Sequence, residues 1–205
     1  MKNLSIAVGI AASLLAATTA SATPVVSLID FDHITNAFAA PIPNLYGGLH
    51  WSNFTAVAAA FATPIGLQNA VVSTDYVAVN ADTKSPSSFG GTMFTLQDAY
   101  FGAGARDGLL LNVFGVDRKL NVLDFTTLTV DTHGATFTTF NWTGLYAVVI
   151  YASGGTLNSQ VSAAQDSTLF ALDNLRVSNV VAEPGTLLLA GLGVGALALR
   201  RRRAA

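Results

Sequence analysis

The 205-residue chain contains no cysteine. It therefore has no disulfide framework, no thiol nucleophile and no thiolate metal site. Charged residues are also scarce, at 11% of the chain, whereas hydrophobic residues make up 51%. Because no covalent cross-link is available, we expect the burial of apolar side chains in one core to hold the fold together.

Glutamate is missing from the segment 23–181, which carries eleven aspartates against five basic residues. The net charge of this segment is therefore −6, whereas the whole chain carries −2 because four arginines lie near its end. Nucleic-acid binding requires a basic surface, so the composition excludes nucleic acid as a partner. Aspartate also favours turns over helices.

Sequence patterns of known catalytic sites are missing as well. His33, His50 and His133 share no ligand-like spacing on one element, so a metal triad is not indicated. There is no G-x-S-x-G motif, and the glycines of FGAGARDG lack the strand and helix of a nucleotide-binding loop. We therefore predict no enzyme and no catalytic residue, with a glycosidase acting through paired aspartates as the alternative.

The start of the chain has the features of a secretory signal peptide. Lys2 precedes an apolar run over residues 4–20, and Ala20 and Ala22 form an A-x-A cleavage site. The sequence predicts a signal peptide over residues 1–22 and an exported mature chain.

The end of the chain combines three features in order. These are a Glu183-Pro184-Gly185 element, 13 apolar residues over 187–199, and the basic cluster Arg200, Arg201, Arg202 and Arg203. A helix that crosses the hydrocarbon core needs about 20 apolar residues, so this one is short. The arginines favour the cytoplasmic side. We predict a short transmembrane helix that halts export and anchors the chain transiently in the inner membrane.

The segment 23–181 has the pattern of an all-β domain. Apolar alternation and β-branched residues are punctuated by Gly, Asn and Asp about every ten residues. Tight turns are expected at 117–119, 131–134 and 154–155, and 56–62 is compatible with a strand or a short helix. The candidate strands are Val25–Phe31, Leu49–Phe54, Ala70–Asn80, Thr92–Ala99, Leu109–Val116, Leu120–Val130, Ala135–Phe140, Leu145–Tyr151 and Thr168–Val177. We predict a two-sheet antiparallel β-sandwich that is jelly-roll-like rather than immunoglobulin-like.

The two ends together resemble the PEP-CTERM sorting architecture of Gram-negative bacteria, with Ala182 where the first proline is usual. The resemblance rests on Glu183, Pro184, the apolar run and the arginine cluster. It implies processing by the membrane protease-transpeptidase exosortase, followed by release or transfer to the cell surface. It also implies an association with exopolysaccharide in biofilm or floc.

The segments IDFDHI, NLYGGLHWSNF, TFTTFNWTGLYAV and FALDNLRV resemble secreted bacterial domains that often carry this tail. The first and last strands are also similar to those of jelly-roll carbohydrate-binding modules, in which these strands pair and hold a structural calcium. The resemblance implies Asp30 or Asp32 with Asp173 as calcium ligands. The alternative is that these acids face solvent at a sheet edge and discourage edge pairing.

Aromatic residues suggest where a sugar could bind. Tyr46, followed by two glycines, and the nearby Asn44 are candidate carbohydrate contacts, whereas Trp51 and Trp142 are predicted to pack in the core. The sequence thus favours a non-catalytic surface or extracellular-matrix protein that interacts with exopolysaccharide. A secreted polysaccharide hydrolase and a structural matrix subunit without sugar binding are the alternatives.

Overall fold

The computed structural model of the chain describes residues 24–180, and residues 24–181 cluster as one compact unit. The described residues form ten strands that pair only in antiparallel fashion. They are β1 Pro24–Ile29, β2 Ala39–Pro41, β3 His50–Ser52, β4 Phe54–Ala58, β5 Tyr76–Asn80, β6 Ser87–Ala103, β7 Arg106–Val116, β8 Val122–Val130, β9 Thr136–Leu157 and β10 Phe170–Val180. The described residues also form one short helix, α1 Ile65–Asn69. They include three 3-10 turns, at Tyr46–Gly48, Ala59–Phe61 and Ala163–Gln165.

Strand β7 shows why these residues form strands. Leu109, Leu111 and Val113 are fully buried, whereas Leu110 and Phe114 lie on the opposite side of the strand. This alternation is the two-residue period of a β-strand with one face on a core. The leucines and valines that drive folding therefore also fix which side chains remain on the outer surface.

The strand order is β2-β4-β5-β10-β6-β9-β7-β8, with β1 added to β10 and β3 added to β6. The long strands change partners along their length. Strand β10 pairs with β5 near its start and with β1 near its end, while β6 pairs with β3 and then with β10. The strands thereby fold over one main core that draws residues from both the first and the last strand.

Aromatic rings fill much of that core. Phe31, Phe89, Phe101 and Phe170 are all at most 2% exposed. Full burial of one such side chain contributes about 1.5–3 kcal/mol. Packing of this kind stabilises the domain without a disulfide.

The prediction of an all-β antiparallel sandwich is confirmed. The first and last strands pair directly, from Pro24 opposite Val180 to Ile29 opposite Leu175. The turn predicted at 117–119 joins β7 to β8.

Strand β9 differs from the prediction. The candidate strands at 135–140 and 145–151 are one continuous strand, and Gly154 and Gly155 lie inside it rather than in a turn. Both glycines have a positive φ, +72° and +73°, and β7 pairs with β9 on either side of Gly155. Because the register of the β7–β9 pairing is the same on both sides of Gly155, the glycines form a left-handed distortion within a continuous ladder instead of reversing the chain.

Two other segments also differ. The strand predicted at 49–54 is broken at Asn53, whose φ of +58° separates β3 from β4, and whose amide donates to the backbone O of Asp82 at 2.8 Å. In the segment 70–80 only the last five residues form a strand. The ambiguous segment 56–62 continues β4 and then forms a 3-10 turn.

Within the described part of the chain no helix is long and apolar enough to cross a membrane. The predicted signal peptide at 1–22 and the predicted apolar helix at 187–199 lie outside the described residues.

Candidate functional site

Two aspartates that are distant in sequence meet beside the loop 72–76. The chain turns at Phe31, whose φ is +66°, and Asp32 follows this turn. Asp173 lies in β10, where the regular pairing of that strand with β6 is interrupted. Between them, the Ser73 hydroxyl oxygen Oγ lies 3.2 Å from Oδ1 of Asp32 and 3.0 Å from Oδ1 of Asp173. We refer to Asp32, Ser73 and Asp173 as the aspartate centre.

Backbone N–H groups of the same loop satisfy both carboxylates. The N–H groups of residues 72 and 73 donate to Oδ2 of Asp173 at 2.6 and 2.9 Å. Those of residues 75 and 76 donate to Oδ1 of Asp32 at 2.9 Å each. The loop is thereby fastened both to the segment that follows β1 and to β10.

The two carboxylates differ in proton affinity. Burial raises the pKa of Asp173, which has no exposed surface, although backbone N–H groups oppose this effect. Burial also acts to raise the pKa of Asp32, but hydrogen bonds from the N–H groups of Tyr76 and Asp75 outweigh it, so the net pKa lies below 3.8. Asp32 is therefore ionised at neutral pH, and Asp173 is the member of the pair that holds a proton more readily.

Oxygen atoms converge on the aspartate centre, as calcium ligation requires. Besides both carboxylates, Oγ of Ser73 lies 3.0 Å from the backbone O of Asp30 and 3.3 Å from that of Tyr76. The carboxylate of Asp30 instead accepts the N–H of Asp32 at 3.3 Å. Within the described part of the chain, no group of three or more histidine or acidic side chains is placed to hold a metal ion. The all-oxygen set is of the type that Ca²⁺ takes, and calcium ligation by Asp30, Asp32 and Asp173 stays a prediction.

The Tyr46 loop lies beside this centre. The Tyr46 ring is half-buried and stacks on Phe31 with a centroid distance of 6.1 Å. Burial, followed by the negative charge of Asp30, raises the pKa of the Tyr46 hydroxyl. Asn44 is exposed, and its Oδ1 contacts Nδ1 of His50. Carbohydrate contact by Tyr46 and Asn44 stays a prediction.

The two tryptophans pack against the main core, as predicted. Trp51 meets Phe31 edge to face at 5.4 Å, and its indole N–H donates to the backbone O of Tyr46 at 2.9 Å. Trp142 meets Phe140 edge to face at 4.9 Å.

The outer side of strands β8, β7 and β9 presents a row of aromatic rings. Phe114 lies 4.7 Å from Phe125 and 5.9 Å from Tyr151, measured between ring centroids. Phe125 and Tyr151 are 54% and 49% exposed. Beside the rings, the Thr127 hydroxyl donates to Oδ1 of Asn112 at 2.8 Å. We refer to these five residues as the aromatic face.

Sequence reasoning missed the aromatic face. The signal was present in β7, where Leu110 and Phe114 are apolar residues at positions opposite the buried Leu109, Leu111 and Val113. A strand with only one face on a core is expected to be polar on the other. Apolar residues on both faces of β7 are therefore the signal that could have indicated a ligand surface on the outer face.

A second polar cluster lies at the opposite end of β7. Asp107 accepts hydrogen bonds from the Thr132 hydroxyl at 2.6 Å and from the Asn158 amide at 2.8 Å. Nε2 of the exposed His133 is 3.8 Å from Oδ2 of Asp107. Burial acts to raise the pKa of Asp107, but these hydrogen bonds outweigh burial, so the net pKa is lowered. The cluster ties the start of β7 to the loops that carry Thr132 and Asn158.

The body of the chain is similar in fold to known β-sandwich domains. A DUF4465 family protein from Bacteroides caccae ATCC 43185 matches with a TM-score of 0.52 at 9% identity, covering 75% of this chain and 98% of that one. The CBM22-1 xylan-binding domain from Paenibacillus barcinonensis matches with a TM-score of 0.41 at 9% identity, covering 80% of this chain and 99% of that one. The first of these likenesses shows the fold of the body, which is a β-sandwich like that of the DUF4465 protein.

The C-terminal segment of the chain matches a known sorting motif. Residues 180–203 match the PEP-CTERM protein-sorting motif. The chain therefore carries a PEP-CTERM sorting motif at its C-terminus, as predicted from Glu183, Pro184, the apolar run and the arginines. The motif implies export, processing by an exosortase and sorting to the cell surface. No curated protein matches the chain in sequence.

Proposed function

We propose that this chain is a non-catalytic surface or extracellular-matrix protein that interacts with exopolysaccharide in biofilm or floc after exosortase sorting. The observation that carries this proposal is the aromatic face. Half-exposed Phe125 and Tyr151 flank Phe114 on the outer side of a sheet, next to the amide of Asn112 and the hydroxyl of Thr127.

The chemistry of such a surface suits a sugar chain. Exposed apolar patches on a folded domain mark interaction sites. The flat faces of pyranose rings carry C–H groups that pack against aromatic rings, and their hydroxyls need hydrogen-bond partners at the side. Asn112 and Thr127 supply both a donor and an acceptor. A face that combines rings and neutral polar groups therefore fits a polysaccharide better than it fits an apolar partner.

The aspartate centre makes hydrolase activity the weaker alternative. Asp32 and Asp173 have pKa values shifted in opposite directions, as the acid and base of a glycosidase do. However, Asp173 has no exposed surface, and its oxygens already accept three backbone N–H groups. A substrate cannot reach a carboxyl in this position, so the pair fits a structural role.

Calcium at the aspartate centre is the second part of the proposal. A cation would offset the repulsion between the Asp32 and Asp173 carboxylates and clamp the loop at residues 72–76 to both terminal strands. A ligand that binds only the folded state at 100 times its Kd stabilises that state by about 2.7 kcal/mol. We expect the melting temperature in Ca²⁺ to exceed that in EDTA, and Asp32→Asn to abolish the difference. Equal melting temperatures for the wild-type chain would remove calcium from the account.

Polysaccharide pull-down tests the main proposal. The full chain, purified in detergent, is incubated with a panel of bacterial exopolysaccharides, with and without EDTA, and the bound protein and released reducing ends are measured. We expect binding to at least one polysaccharide without reducing-end release. Absence of binding in both conditions would contradict the proposal and favour a structural matrix subunit. Release of reducing ends would instead indicate a hydrolase.

A further inference from the structure

Five basic side chains lie in the described part of the chain, and Arg118 and Lys119 are the two that are adjacent in sequence. Arg106 and Arg176 are neutralised by aspartates, with N–O distances of 2.7 Å to Asp166 and 2.6 Å to Asp98. Arg118 and Lys119 are exposed, and neither forms a salt bridge with a described residue. Two adjacent unneutralised cations are notable in a segment whose net charge is −6.

These two cations lie at one end of the aromatic face. They belong to the turn that joins β7 to β8, and the Phe114–Phe125 pair is the third pair before that turn. At about 3.3 Å per residue, the turn begins within roughly 10 Å of the two rings. A polymer lying along the rings therefore passes the cations.

The turn is held rigidly by its own aspartate. The carboxylate of Asp117 accepts the N–H of Lys119 at 2.7 Å, and the N–H and side-chain amide of Asn121 at 2.9 Å each. Hydrogen bonding from Asn121 is the main cause that lowers the pKa of Asp117. Asp117 thus fixes the backbone of the turn, and the side chains of Arg118 and Lys119 are exposed on it.

Tyr146 positions the Arg118 guanidinium beside strand β9. The guanidinium carbon lies 5.4 Å from the centroid of the Tyr146 ring. Tyr146 is part-buried and lies in β9, the strand that also carries Tyr151. Stacking fixes the plane of a guanidinium and leaves its N–H edge free for a carboxylate.

We infer that the aromatic face binds an anionic polysaccharide, with uronic-acid carboxylates at Arg118 and Lys119 and sugar rings on Phe114, Phe125 and Tyr151. This inference rests on the proposed function and specifies its ligand class. Charge-assisted hydrogen bonds from a guanidinium to a carboxylate are roughly twice as strong as neutral ones. Such bonds select polyuronates over neutral glycans of the same shape.

A matched set of ligands tests the inference. Polygalacturonate, polymannuronate and polyglucuronate are each used in native form and after reduction of the carboxyl groups, which removes the charge and keeps the linkage. Affinity for the full chain in detergent is measured at two NaCl concentrations. We expect at least one native polymer to bind about tenfold more tightly than its reduced form, the ratio that about 1.4 kcal/mol gives, and to weaken as salt rises.

Variants assign the effect to the two cations. The double variant Arg118→Gln, Lys119→Gln is expected to lose the preference for the native polymer, whereas Lys84→Gln, at an exposed lysine of the β5–β6 loop, is expected to keep it. Equal binding of native and reduced polymers by the wild-type chain would overturn the inference and leave the proposed function standing. A preference that survives in the double variant would also overturn it. Failure to bind any polymer in either form would contradict the proposed function as well.

Discussion

Asp32 couples the stability of the domain to pH. Its folded-state pKa lies below the ordinary value of 3.8, because hydrogen bonds from Tyr76 and Asp75 outweigh the effect of burial. The unfolded chain thus takes up this proton at a higher pH than the folded chain. The stabilisation from Asp32 is complete above about pH 3.8 and is lost as the pH falls through the folded pKa. Asp173, with a raised pKa, acts in the opposite sense as the pH rises.

The lowered pKa of Asp32 leads to a prediction about the pH dependence of stability. In urea unfolding between about pH 5 and pH 2.5, the wild-type chain should lose stability as the pH falls, and Asp32→Asn should lose less over the same range. Asp124→Asn is the control, since the Asp124 carboxylate accepts no hydrogen bond from the described residues. Identical pH slopes for the wild type and Asp32→Asn would contradict the assignment.

Sequence reasoning reached the aspartates but not the groups that surround them. Asp32 and Asp173 were identified through resemblance to the first and last strands of carbohydrate-binding modules, and the structure brings their carboxylates to the same hydroxyl. Ser73 was missed because its segment was interpreted as a strand. The hydrogen bonds that shape this loop come from backbone N–H groups, which no residue type reveals.

At the scale of elements, the left-handed backbone positions in β9 depend on glycine. Gly155 has a φ of +73°, and a Cβ there would lie 3.0 Å from Cβ of Arg106 and 3.1 Å from the backbone O of Asp107. Gly144, in the same strand, has a φ of +71° with nothing within 4 Å of its Cβ position. An alanine at Gly144 therefore tests backbone strain alone, whereas an alanine at Gly155 tests strain and crowding together.

We expect Gly144→Ala to lower the free energy of unfolding by about 1–2 kcal/mol, which is the cost of a left-handed L-residue. Gly155→Ala should lower it further, because the added methyl group also crowds β7. Urea unfolding of both variants measures the difference. A Gly155→Ala loss no larger than that of Gly144→Ala would show that the backbone around Gly155 moves freely to admit the methyl group.

The sequence predicts the strands well where one face of the strand is buried. It predicts them less well where the backbone departs from regular strand geometry. Alternation in β7 and the turn at 117–119 were clear in the sequence. The sequence predicts a turn at Gly154-Gly155 because glycine pairs with positive φ are typical of turns, and only the continued pairing with β7 shows that the strand runs on. Asn53 likewise breaks a strand without a glycine or proline to mark the break.

At the scale of the whole molecule, the sorting motif and the acidic body carry net charges of opposite sign. Residues 180–203 match the PEP-CTERM motif, while the −6 charge of the segment 23–181 is partly offset in the full chain by the terminal arginines. Removal of the tail would leave an acidic domain outside the cell. That charge opposes self-association and disfavours nucleic acid.

Processing at the motif gives a testable prediction. Replacement of Glu183-Pro184 by Ala-Ala should leave unprocessed precursor in the inner membrane, whereas the wild-type chain and a Thr186→Ser control should lose the tail. Membrane fractionation and immunoblotting of cells with an active exosortase measure this. A wild-type chain that stays at full length in the inner membrane would contradict the sorting account.

The central claim is that the aromatic face binds exopolysaccharide. Full burial of a Phe-sized side chain contributes about 1.5–3 kcal/mol, so covering the exposed half of Phe125 and of Tyr151 should contribute roughly 1 kcal/mol each. Phe61 is the matched control, because it is 60% exposed and pairs with Phe38 at 5.8 Å on a different surface.

The most direct measurement compares the affinity of three full-length chains for the same exopolysaccharide: the wild type, the double variant Phe125→Ala, Tyr151→Ala, and Phe61→Ala. The account predicts binding roughly 30-fold weaker for the double variant, as about 2 kcal/mol gives, and unchanged binding for Phe61→Ala. Folding is checked by circular dichroism and melting. Wild-type affinity in a folded double variant would contradict the claim.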